Sequence, residues 1–240
     1  MMTMKLLFCV PIGFCLLSVV NLQAAVINGD FETGTLAAWP KIGAAHAATS
    51  SIGVTPTNGA YQAYVDNTGN FAATAPSVVT FLGVPGASII GMGAGTPTTG
   101  SAISQDLVVS AGAVLTFDWN FLTDEHNEGI AFNDFAIYTI GNAAYFLASR
   151  NSTFMTLNTV SPPPGFDGQT NWATQSHTFS VGGTYKLGFA VFNVGDAGHN
   201  SVLLVDAVTL NSVPEPSALI LTLSASSICL ARRSRRWIVY

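Results

Sequence analysis

From Val114 to Phe121 apolar and polar side chains alternate, with Leu115, Phe117, Trp119 and Phe121 on one side and Thr116, Asp118 and Asn120 on the other. A period of two belongs to a strand with one face in a core and the other toward water. The turn pair Ala111-Gly112 precedes it, which predicts pairing with Gln105–Val109. Phe135–Ile140 and Ala144–Ala148 flank Gly141-Asn142 and read as two further strands. Tyr185–Val194 is apolar on both faces, as in a central strand, and Val202–Leu210 closes the series. Residues 83–100, rich in Gly, Ala, Thr and Pro, read as a long surface loop. Ser161-Pro162-Pro163-Pro164-Gly165 reads as a rigid, exposed connection. No stretch shows sustained helical periodicity and none repeats at a fixed period. The expected fold is all-β, a two-sheet antiparallel sandwich with jelly-roll topology.

Different patterning marks the two ends. Lys5 precedes an uncharged apolar run from Leu6 to Val20, and Gln23-Ala24-Ala25 follows as a small-residue cleavage site. Residues 1–25 therefore read as a signal peptide, handled by the Sec translocon and signal peptidase. At the other end, Val213-Pro214-Glu215-Pro216 is stiff and breaks helices. The uncharged run Ser217–Ala231 comes next, and then Arg232, Arg233, Arg235 and Arg236. Fifteen helical residues reach about 22 Å, short of a hydrocarbon core of roughly 30 Å. Snorkelling arginines and Trp237-Ile238-Val239-Tyr240 can make up the difference. Arginines beside a membrane segment stay cytoplasmic, which leaves residues 26–212 outside.

The order of tetrapeptide, apolar helix and arginine cluster in 213–240 resembles the PEP-CTERM sorting signal of Gram-negative bacteria that make exopolysaccharide. The resemblance implies an exosortase partner that cuts near the PEP motif and passes the protein outward. It implies a transient inner-membrane anchor, then a place at the cell surface or beyond. The alternatives are an ordinary single-pass tail anchor or a buried C-terminal helix.

Charge sharpens the picture of the middle region. Of eight basic residues only Lys41, Arg150 and Lys186 lie within 26–212, against twelve of thirteen acids, so this region stands near −9. Such a surface repels phosphate backbones and excludes nucleic acid as a partner. Cys9 and Cys15 lie in the signal peptide and Cys229 in the tail. The domain thus has no disulfide and no thiol chemistry, and must rely on its core or on a metal.

The domain opens Asn28-Gly29-Asp30-Phe31-Glu32-Thr33-Gly34, followed by Leu36 and Trp39, and ends Leu204-Val205-Asp206-Ala207-Val208. These segments resemble the first and last strands of carbohydrate-binding-module-like jelly rolls. The resemblance implies that the two strands pair and that their acids hold a structural calcium. Chemically, Asp30, Glu32 and Asp206 can supply carboxylates to an ion that takes six to eight oxygens. Alternatively, these acids cap turns or face solvent.

A second acidic group, Asp124, Glu125 and Asp134, offers a weaker calcium candidate. Its spacing is not that of an EF-hand, since the twelfth position from Asp124 is Phe135 where a bidentate Glu is needed. The alternative is a solvated loop. The surrounding pattern, Gly100–Gln105 with Phe121–Glu125 and Asn133-Asp134-Phe135, is similar to one recurring in exported PEP-CTERM proteins, and no activity comes with it. The scattered His46, His126, His177 and His199 form no zinc pair, and neither a nucleophile elbow nor a phosphate loop occurs. Trp172, beside Asn171 and the proline run, is the candidate sugar-stacking platform.

The sequence thus describes a non-enzymatic surface or matrix protein associated with exopolysaccharide. Two alternatives stay open: a carbohydrate-binding module, and an extracellular glycan hydrolase using acids of the 124–134 region.

Overall fold

The computed structural model describes residues 25–125, 132–157, 163, 165–195 and 198–211. The signal-peptide and sorting-tail segments lie outside these residues. Among the described residues no helix is long and apolar enough to cross a membrane.

In chain order the elements are β1 (Lys41–Ile42), β2 (Ala44–Ala48), β3 (Gln62–Asp66), β4 (Ala73–Thr74), α1 (Ala75–Leu82), β5 (Pro97–Val109) and β6 (Val114–Thr123). They continue as β7 (Phe135–Ile140), β8 (Ala143–Ser149), β9 (Thr156–Leu157), β10 (Gly168–Gln169), β11 (Ala173–Thr178), β12 (Gly183–Val194) and β13 (Ser201–Asn211). One sheet runs β1-β5-β12-β7-β8 with β4 added on β5; the other runs β2-β3-β13-β6-β10-β9 with β11 also on β6. Every strand pair is antiparallel.

The principal strands pair as nested hairpins: β3 with β13, β5 with β12, β6 with β11, and β7 with β8. That nesting is the jelly-roll connectivity expected from the strand count. One expected pairing is corrected. β5 and β6 do not pair; the turn at Ala111-Gly112 carries the chain from one sheet to the other.

The alternation on β6 governs the core. Leu115, Phe117, Trp119 and Phe121 are all buried between the sheets with Phe189, Val191, Leu203 and Val205. Phe189 packs edge-on to Phe117, with ring centroids 4.8 Å apart. Trp39, from the opening segment, lies against Phe31 and Phe189 and donates its indole N–H to the Ile27 and Asn28 carbonyls.

Residues 83–100 are not a free loop. Pro97 onward belongs to β5, and Val84 and Ile89 are buried with α1 on the outer face of the first sheet. α1 itself was not expected. It starts behind Thr74 with Pro76 in its first turn and stops at Gly83, whose φ is 76°. Ala75, Val78, Val79 and Leu82 form its buried stripe. A Cβ on Gly188 would stand 2.3 Å from Leu82 Cδ2, so glycine there lets the helix lie on β12. Pro163 is buried, unlike the exposed connection expected around it.

Candidate functional site

The outer face of the second sheet carries a small apolar cluster of its own. Leu122 from β6 and Val202 and Leu204 from β13 are buried beneath Val54 and Phe166. Tyr64 on β3 and Trp172, just before β11, pack against this cluster and stay half-buried. His46, opposite Tyr64 on β2, brings its ring to 4.8 Å from the tyrosine ring. Burial and then the nearby Asp66 carboxylate push the Tyr64 phenol up to about 12. Burial holds the His46 imidazole below its ordinary value, with Asp66 opposing that shift. The phenol and imidazole therefore stand neutral at pH 7, an aromatic strip edged by polar groups.

Asn120 continues this row. It lies opposite Leu204, donates to Gln169 Oε1 at 3.0 Å and accepts from Thr170 Oγ1 at 3.1 Å. Asp118 accepts from Thr174 Oγ1 at 2.6 Å, and Thr116 meets Thr209 at 2.7 Å. Trp172, the predicted platform, is fixed by its indole N–H donating to Thr55 O at 2.9 Å. The sequence gives no sign of Tyr64 and His46 on the same face, because β2 and β3 are short and carry no regular alternation.

Of the first acidic set, Glu32 and Asp206 reach one loop and Asp30 does not join them. Glu32 Oε1 accepts from the Ala60 and Tyr61 amides at 2.8 and 2.7 Å. Asp206 Oδ2 accepts from the Asn58 amide at 2.8 Å and from Thr57 Oγ1 at 3.2 Å, and Oδ1 from the Ala207 amide at 2.7 Å. A Cβ on Gly59, at φ 68°, would lie 2.2 Å from Glu32 Cδ, so the loop wraps the carboxylate closely. Asp30 is exposed, its Oδ1 3.3 Å from the Glu32 amide. The opening segment is a run of turns, joined to β13 by one bond from Val208 N to Gly29 O at 2.9 Å. Among the described residues no three His, Cys, Asp or Glu side chains converge as a metal site.

The second acidic set divides. Glu125 and Asp134 turn inward and are 2% and 1% exposed. Asp134 Oδ2 accepts from Asn67 Nδ2 at 2.6 Å and Oδ1 from Val194 N at 3.0 Å. The Asp134 amide lies 3.5 Å from Glu125 Oε2. Asp124 faces the other way, accepting from Asn200 N at 2.6 Å, with His199 Nδ1 at 3.4 Å. Glycoside hydrolysis needs two carboxyls facing across a sugar, about 5–9.5 Å apart. Glu125 and Asp134 are sealed from solvent, so they do not flank a site open to a sugar. Glu128 and His126 lie outside the described residues.

Against known proteins, no family model and no curated relative matches the chain. Among solved structures it is similar to TmCBM61 in complex with β-1,4-galactotriose, at 14% identity and TM-score 0.41, over 78% of this chain and 97% of that one. The K3 cleaved adhesin domain of Lys-gingipain from Porphyromonas gingivalis W83 is similar at 19% identity and TM-score 0.42, over 79% and 99%. A family 16 carbohydrate-binding module gives 9% identity and TM-score 0.36, over 77% and 96%. Likenesses this distant assign neither a family nor a ligand to the chain.

Proposed function

We propose that this chain is an exported, non-catalytic β-sandwich protein of the exopolysaccharide layer, contacting sugar through the outer face of its second sheet. The observation that carries the reading is the strip of His46, Tyr64 and Trp172 on that face. Aromatic rings at this exposure suit the apolar faces of pyranose rings, and the half-buried Asp66 and Asp118 stand beside them as hydrogen-bond acceptors.

Delivery belongs to the proposal. Residues 1–25 take the chain through the Sec translocon, and Pro214-Glu215-Pro216 with Arg232–Arg236 present it to exosortase. A structural calcium ion held by Glu32 and Asp206 is a further part of it, supported by both carboxylates reaching the loop 57–61. The test is affinity electrophoresis of the exported protein through gels containing exopolysaccharide, alongside a reducing-sugar release assay. Retardation that Tyr64→Ala and Trp172→Ala each weaken at least about fivefold, without sugar release, supports the reading; a loss of roughly 1 kcal/mol per stacking contact corresponds to that factor. Sugar release, or retardation untouched by both substitutions, overturns it.

A further inference from the structure

Asn-Gly occurs twice in the chain, at Asn28-Gly29 and at Asn58-Gly59. With no side chain on the second residue, the glycine nitrogen can reach the asparagine Cγ and close a five-membered ring. Whether it does so depends on how firmly the fold holds both residues.

Asn28 is tied down. Its Nδ2 donates to the Thr35 and Ala37 carbonyls at 3.0 and 3.1 Å, and its Oδ1 accepts from Thr33 N at 3.3 Å. Gly29 lies tight against β13, where a Cβ would stand 2.1 Å from Val208 O, and its carbonyl accepts from Val208 N. Carboxamide and main chain are thus both kept from swinging together. Asn58 and Gly59 are exposed, on the loop before β3. Asp206 Oδ2 holds the Asn58 main-chain N–H at 2.8 Å. Among the described residues, neither the Asn58 carboxamide nor the Gly59 amide has a hydrogen-bond partner.

We propose that Asn58 is a site of spontaneous deamidation, and that its isoaspartate product releases the loop 57–61. The Gly59 nitrogen gives its proton to water or hydroxide and bonds to Asn58 Cγ, and the carboxamide nitrogen leaves as ammonia. Water then opens the cyclic imide at either carbonyl. Breaking the bond from nitrogen to Cγ leaves aspartate. Breaking the bond from nitrogen to the main-chain carbonyl carbon leaves isoaspartate, with the chain now running through Cβ. One water is taken up and one ammonia released, and no oxidant or cofactor enters. The Glu32 and Asp206 carboxylates oppose the transient amide anion, so the folded loop reacts more slowly than an unfolded chain.

Isoaspartate adds one atom to the main chain between two fixed points. Asp206 holds Asn58 N, and Glu32 Oε1 holds the Ala60 and Tyr61 amides. Between them Gly59 has no room even for a Cβ, which would lie 2.2 Å from Glu32 Cδ. The lengthened chain must lift off Glu32, and Ala60 and Tyr61 lose their acceptor. Aspartate leaves the main chain unchanged and keeps both bonds.

The exported protein, incubated at mildly alkaline pH, is sampled by peptide mapping that separates aspartate from isoaspartate. Conversion at Asn58 should outpace that at Asn28 by about tenfold or more, since each hydrogen bond that Asn28 must first break slows it by a factor of about two to ten. In urea the two rates should converge. Amide hydrogen exchange on the isoaspartate fraction should show Ala60 and Tyr61 opened, with Leu115 and Val205 as protected as in fresh protein. Asn58→Asp, which adds the charge without the extra atom, should keep Ala60 and Tyr61 protected. Equal rates at the two sites of the folded protein, no conversion at Asn58, or a difference that persists in urea overturns the site. Fresh-protein protection of Ala60 and Tyr61 in the isoaspartate fraction overturns the release, and so does its loss in Asn58→Asp.

Discussion

Replacing Asp206 by Ala tests how the loop 57–61 is held on the sheet. Asp206 is fully buried on β13, at the point where its register with β6 shifts. Three donors end on its carboxylate: the Asn58 amide, Thr57 Oγ1 and the Ala207 amide. Bonds to a charged acceptor are worth about 1.5–3 kcal/mol each, and a buried donor left without one costs ~1–3 kcal/mol. Part of this is offset in the native protein, because burial raises the Asp206 carboxyl above its ordinary value despite those bonds. A net loss of ~3 kcal/mol follows, and in a domain of this size it lowers the melting midpoint by about 6–12 °C.

The assay is thermal unfolding followed by near-ultraviolet circular dichroism, with and without EGTA. If calcium sits between Glu32 and Asp206, EGTA lowers the midpoint of the native protein and leaves Asp206→Ala unmoved. Identical native melts with and without EGTA remove the ion, and the hydrogen bonds then account for the whole effect. An Asp206→Ala midpoint within about 2 °C of the native value refutes the hydrogen-bond argument itself.

Two further outcomes are expected. Gln105 stands in for a strand, accepting from Ile27 N at 2.8 Å and donating to the Ile27 and Ala38 carbonyls at 2.9 and 3.1 Å; Gln105→Leu should cost ~2–3 kcal/mol and make residues 26–40 the first site of limited proteolysis, and an unchanged cleavage pattern refutes it. Intact-mass spectrometry of the exported protein should find a C-terminus near Pro214-Glu215-Pro216 and none of Arg232–Tyr240, and a mature chain that keeps those residues refutes exosortase processing.

The strands with a clean period of two or a continuous apolar run were legible: β6, β7, β8, β12 and β13 lie where their sequences put them. Their partners were not always so, because alternation fixes a face and does not name a neighbour. Ala111-Gly112 serves a hairpin and a sheet-to-sheet crossing equally well. α1 did carry the helical signature at 75, 78, 79 and 82, but it spans eight residues and opens with a proline that also reads as a breaker. β2 and β3 hide because the outer cluster buries Gln62 and half-buries Tyr64, so no polar face is left to alternate with an apolar one. For the sites, residue type was informative and distance was not. Sequence position groups Asp30, Glu32 and Asp206 in the opening and closing segments, and Asp124, Glu125 and Asp134 on one loop and the strand after it. Only the fold separates Asp30 from the first set and Asp124 from the second.

The two ends of the sandwich differ in character, and the candidate glycan-binding face lies between them. β13 starts at Ser201 beside the Asn67 network and finishes at Asn211, opposite Val114. Asn211 therefore lies at the end of the sandwich away from Glu125 and Asp134. The Tyr64 row lies on the outer face of the second sheet, between those ends. Under the proposed function, glycan contact on this flank is separate from the polar end around Asn67 and Asp134. Asp134→Asn should therefore leave retardation by polysaccharide unaltered. A loss of retardation in that variant would mean that disturbance of the polar end propagates along β3 and β13, whose pairing at Leu204 and Tyr64 reaches the flank.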